Sequence, residues 1–206
     1  MSRVAWLRFA ACLGLALPLA AFQPADSSIL AKLGHSQHGE SFDTGPREKP
    51  WPIPGIGVAH FPITTKNPEV QRWFDQGNAL LHSFWDYEAE RAFRWCLKLE
   101  PNNAMAYWGL ARAATLRGSG GPARAADMIR EAVKRKNQAS PREQLYIDAL
   151  AADLLPDPLR TGDADRGDRG PGRKILETLC VKYPDDMEAR AMLALHTMGT
   201  TAMGPN

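Results

Sequence analysis

The sequence predicts an all-α fold of consecutive helix pairs, on three observations. From Asn67 onward apolar residues recur at three- and four-residue steps, the spacing that lines one face of a helix. Helical stretches are broken at Pro101 and again at Pro184, and each break is followed by side chains suited to capping a new helix, Asn102 and Asn103 in one case, Asp185 and Asp186 in the other. The arrangement around Trp73 also returns about 34 residues later around Tyr107.

Residues 1–21 stand apart from this pattern. Arg3 and Arg8 flank a charged start, and residues 9–21 then run apolar without a charge before a polar, proline-containing stretch. That is the pattern of a signal peptide, too short to span a bilayer comfortably, so the mature chain is expected to be exported, periplasmic or extracellular, with no stable membrane span. Cys12 sits inside the apolar run and not at its end, which argues against a lipid anchor there. Beyond the leader only Cys96 and Cys180 remain of the three cysteines, too few for a disulfide framework, so packing must hold the fold. Across the 206 residues, 25 Lys and Arg nearly balance 23 Asp and Glu, which gives no electrostatic case for nucleic acid.

Residues 22–66 are dense in Pro, Gly, Ser and His, with prolines at 46, 50, 52, 54 and 62 that interrupt any helix or strand ladder. This reads as an extended lead-in. Its apolar residues, among them Trp51, Ile53, Ile56, Val58, Phe61 and Ile63, are too many for a solvated tail, so part of it should lie along the folded body.

The helical body spans residues 67–199. Asn67 caps the first helix, Pro68 takes its first position, and Val70, Trp73, Phe74, Gly77, Leu80 and Leu81 form its apolar face. A second helix carries Ala89, Ala92, Phe93, Cys96, Leu97 and Leu99 and ends at Pro101. Counted from Val70, the residues Trp73, Gly77, Ala89, Phe93 and Pro101 fall at the fourth, eighth, twentieth, twenty-fourth and thirty-second places, a pattern that resembles the tetratricopeptide repeat. Departures are Gln76 for Leu, Leu80 for Tyr, and Trp85 at a turn place where Gly is usual, which predicts a distorted turn. The resemblance implies a right-handed α-solenoid of about three helix pairs. Small Gly77 and Ala89 lie where helices approach, and Trp73 and Phe93 fill the wedge between them.

Repeats are placed at about 70–103, 104–139 and 140–199, with a tail at 200–206. In the second, Tyr107, Leu110 and Ala111 take the places of Trp, Leu and Gly, and Ala125 and Ile129 follow after an insertion. The third opens with Ser140, Pro141 and Glu143 as a capping box and is interrupted by a polar loop, 156–172, before Leu176, Leu179 and Pro184 restore the pattern. The Arg-Gly-Asp run within that loop reads as a solvated insertion, since its aspartates lack the later glycine and acidic ligand of a calcium loop. The lead-in followed by "HFPITTKNPEVQRWFDQG" is similar to a group of exported bacterial tetratricopeptide proteins of unassigned activity.

What such a family implies is a protein-interaction scaffold that holds a protein or peptide partner on the inward face of the first helix of each pair. Here that face presents Gln71, Phe74, Asn78, Leu81, His82, Met105, Trp108, Arg112 and Thr115. A competing expectation is that Phe74 and Trp108 pack against the lead-in, because so large an aromatic stripe needs cover. No phosphate loop, nucleophile elbow or zinc helix occurs, so neither a catalytic residue nor a cofactor is expected. His35 and His38 form a weak H-x-x-H metal candidate, bracketed by Gly34 and Gly39. They support the alternative of an exported metal- or cofactor-dependent enzyme that uses the lead-in. Finally, the apolar last helix has no polar cover, which predicts self-association or further C-terminal repeats.

Overall fold

The structure, a computed structural model, describes residues 49–57, 59–116, 121–155 and 170–201, with side chains as far as 198. The leader, His35, His38, Val58 and the Arg-Gly-Asp run lie outside the described residues. Among the described residues seven α-helices follow one another: α1 (Pro68–His82), α2 (Asp86–Leu99), α3 (Ala104–Thr115), α4 (Gly121–Arg135), α5 (Pro141–Leu154), α6 (Pro171–Lys182) and α7 (Met187–Thr201), with a 3-10 turn, Lys136–Gln138, before α5. No strand occurs among the described residues.

The starts of the helices follow from side-chain chemistry. Asn67 accepts from the Glu69 amide at 2.9 Å and Asn103 from the Ala106 amide at 3.0 Å. Ser140 and Glu143 close a reciprocal capping box at α5, and Asp186 accepts from the Ala189 amide at α7. Pro101 and Pro184 both lie in the breaks between helices, and Pro171 opens α6 inside the stretch read from sequence as loop.

Each helix packs on the next along the chain, and α1 also meets α3, as α3 meets α5. Helices α1, α3 and α5 therefore share a face. Trp73 and Phe93 belong to one buried cluster with Val70, Phe74, Leu80, Leu97, Tyr107, Trp108 and Leu110. At its centre the Phe93 ring is pinched between two glycines: a Cβ on Gly77 would stand 2.7 Å from the ring and one on Gly109 2.5 Å from it. Gly109 falls outside the periodic places, where Ala111 was expected to be the small residue. Ala111 is buried as well, but the close approach to Phe93 is made by Gly109.

The first turn is distorted in a defined way. The amides of Trp85 and Phe84 reach back to the carbonyls of Leu80 and Leu81, a Schellman ending of α1 in which Phe84 takes the left-handed place, φ 57°. Glycine normally supplies that conformation, and Phe84 adopts it with its ring 70% exposed.

Candidate functional site

Along the shared face of α1, α3 and α5 runs the last part of the lead-in, and Phe61 is its anchor. Its ring is buried at 1% exposure, with centroids 5.4 Å from Phe74, 5.8 Å from Trp108 and 4.8 Å from Tyr146. The expectation that Phe74 and Trp108 present themselves to a foreign ligand is thereby corrected: both are sealed by Phe61, and Met105 is buried beside them. An aromatic stripe of that size loses more free energy in water than one chain segment loses in being ordered over it.

Side chains of the helical body hold main-chain groups of residues 61–64. The Phe61 amide donates to Asp75 Oδ1 at 2.9 Å, and Gln71 Nε2 donates to the Phe61 carbonyl at 2.8 Å. Arg142 Nη1 donates to the Pro62 carbonyl at 3.0 Å. Gln71 Oε1 accepts from the Ile63 amide at 2.9 Å, and Glu143 Oε1 from the Thr64 amide at 2.6 Å. Asn103 Nδ2 donates to the Thr64 carbonyl at 3.4 Å, while the Thr64 hydroxyl bridges Glu143 and the Ser140 amide. His60 adds a 2.8 Å contact to Asp75. Of the predicted face residues Gln71 alone contacts this backbone. Asn103 and Glu143 are expected from the sequence only as caps, and the sequence reading assigns no role to Asp75 or Arg142. The missed signal lay in their placement: Asp75 stands one turn after Gln71, and Arg142 and Glu143 one turn before Tyr146.

Asn78, His82 and Arg112 gather at a second place. The start of α7 comes across to α1 there, so that Glu188 accepts from Asn78 Nδ2 at 2.9 Å and meets His82 Nε2 at 2.9 Å. The Glu188 hydrogen bond raises the pKa of His82 above its ordinary value, against the opposing effect of burial. Leu81 is buried, and the Thr115 hydroxyl returns to the Arg112 carbonyl, so neither reaches this cluster with a free polar group. Asp186 links the last helices to α5, accepting from Arg142 Nε at 2.6 Å and from the Tyr146 hydroxyl at 2.8 Å. Burial pushes the Asp186 carboxyl up, but these two donors outweigh it and hold the group below the ordinary range. Cys96 is fully buried, and burial raises its thiol pKa well above normal, which keeps it protonated and unreactive. Among the described residues no three His, Cys, Asp or Glu side chains converge as metal ligands.

Comparison with protein-family models, with curated proteins and with solved structures returns no match. The class that the coordinates define is an all-α protein, in which no described helix is long and apolar enough to cross a membrane.

Proposed function

We propose that the chain is an exported, tetratricopeptide-like α-solenoid that acts as a protein-interaction scaffold, without catalysis of its own. The face formed by α1, α3 and α5 holds extended polypeptide. The observation that carries this reading is the way residues 61–64 are held: main-chain groups bonded by Gln71, Asp75, Asn103, Arg142 and Glu143, and one aromatic ring in a pocket of Phe74, Trp108 and Tyr146. Main-chain hydrogen bonds supply affinity for any extended segment, and a side-chain pocket selects which one. The chain's own segment occupies this face, so a partner segment with an aromatic residue before a proline competes with it. The order of the helices, the proline joints and the glycines against Phe93 support the solenoid reading.

The test is a labelled synthetic peptide of residues 57–66 added to the full chain and followed by fluorescence anisotropy. Wild type, with its own segment in place, should bind weakly. Phe61→Leu or Phe61→Ala, which loosen that segment, should bind saturably and lose the binding when Gln71→Ala is added. A folded Phe61→Leu chain that ignores the peptide would overturn the proposal and leave the segment as a fixed part of the core.

A further inference from the structure

Beyond the covered part of the face shared by α1, α3 and α5 lies a cavity of ≈ 400 Å³, lined by Trp108 and Arg112 of α3, Tyr146 and Asp153 of α5, Leu176 of α6, and Met192 and His196 of α7, among others. We propose that this cavity is a binding site for a small organic monocarboxylate with an apolar body, anchored by Arg112. Trp108 and Tyr146 form the wall between the two regions: each touches Phe61 and also lines the cavity. Extended polypeptide therefore has no continuous path into it, and its volume sits near the low end of the roughly 300–1,000 Å³ of small-molecule pockets.

The argument for the anchor is an unmatched donor. Arg112 Nε is sealed from solvent and has no hydrogen-bond partner among the described residues. Two carboxylates act on it electrostatically, Glu188 and Asp153, but both are committed elsewhere. Glu188 is taken by Asn78 and His82. Asp153 accepts from the Gly172 amide at 2.9 Å and faces His196 at 3.5 Å. An arginine Nε–H withdrawn from water without a partner is costly, and the planar pair of oxygens of a carboxylate matches the fork of donors of which it is part. The rest of the lining is apolar: the Trp108 indole, whose N–H is already given to the Tyr146 carbonyl, with Ala149, Leu150 and Met192. The same two acids that leave Arg112 Nε unmatched repel a second negative charge, so the site selects one carboxylate and rejects dianions.

This inference does not rest on the peptide-holding role of residues 61–64, and either can fail alone. The experiment is a ligand-observed NMR titration of the full-length chain with benzoate, in parallel with phthalate, benzamide and benzylamine. Saturable benzoate binding, with at least tenfold weaker binding of the other three, is the expected result. Arg112→Gln should weaken benzoate at least tenfold, and Leu176→Trp, which fills the cavity and leaves Arg112 intact, should abolish binding. Circular dichroism melting establishes that each variant is folded. Benzoate that fails to saturate below about 10 mM, benzamide or benzylamine that binds as well, or unchanged binding in folded Leu176→Trp would each overturn the proposal.

Discussion

Helices α2 and α3, like helices α6 and α7, are joined through a proline break, but the region of α1 to α3 and the region of α6 and α7 are held by different balances of apolar and polar contact. In the first region Val70, Phe74, Leu80, Phe93 and Leu97 are wholly buried, and Phe61 closes the cluster from outside. In the second, Val181 is 81% exposed and Met187 and Met198 are each 68% exposed. Leu176, Leu179, Ala189 and Met192 join that end to the same core, and polar ties are added to them: Asp186 to Arg142 and Tyr146, and Glu188 to Asn78 and His82. Apolar packing is insensitive to pH and intolerant of volume changes, whereas charged hydrogen bonds behave in the opposite way. The two regions should therefore fail under different insults.

The largest effect is expected at Phe61. Phe61→Ala removes a ring that touches three others and should cost about 3–5 kcal/mol, read by urea unfolding. An unchanged midpoint would mean that the lead-in contributes nothing to the first region. Next comes Gly109→Ala, which puts a methyl group 2.5 Å from the enclosed Phe93 ring and should cost about 1–3 kcal/mol in the same assay. Phe84→Gly should move stability the other way, by about 0.5–1 kcal/mol, because the exposed ring forfeits little packing and glycine adopts the left-handed Schellman place without strain.

The pH response sharpens the contrast at the second region. The folded-state pKa of His82 is raised above the ordinary imidazole value of 6.5 by the Glu188 hydrogen bond, so its contribution to stability is fully present below 6.5 and is lost as pH rises through the higher folded value. Melting temperature should thus decline modestly above that window, and His82→Gln should flatten the decline. The effect is small because the imidazole is 37% exposed and solvent screens the pair. The smallest effect is expected of Val181→Ser, within about 0.5 kcal/mol of wild type. A large loss there would show that the exposed face of α6 is covered in solution.

Much of the all-α architecture was legible from local rules. Proline and capping residues act within a few positions, so Asn67, Asn103, Ser140 and Asp186 mark helix starts in the sequence and in the structure alike. Apolar periodicity likewise placed Trp73 and Phe93 in one core. Less could be read wherever the cause lies far along the chain. Gly109 is small because of Phe93, a residue on another helix, and no spacing rule points to it. Glu143 was legible as a cap, but its contact with Thr64 joins positions 79 apart. Asn78 and Arg112 were placed on the inward face, yet the arrival of Glu188 from α7 beside Asn78 depends on how several helix pairs stack, which periodicity does not encode.

The double use of Glu143 has a further consequence. One carboxylate starts α5 by holding the Ser140 amide and also receives the amide and hydroxyl of Thr64. The first residues of this contact to be synthesised must therefore wait for α5, and the lead-in can settle only after the two helix pairs α1 to α4 have been laid down between Thr64 and its acceptor's own helix. Closure of the aromatic face is in that sense a seal of completed assembly: a chain stalled before α5 would display Phe74 and Trp108 to whatever quality-control factor seeks bare aromatic surface.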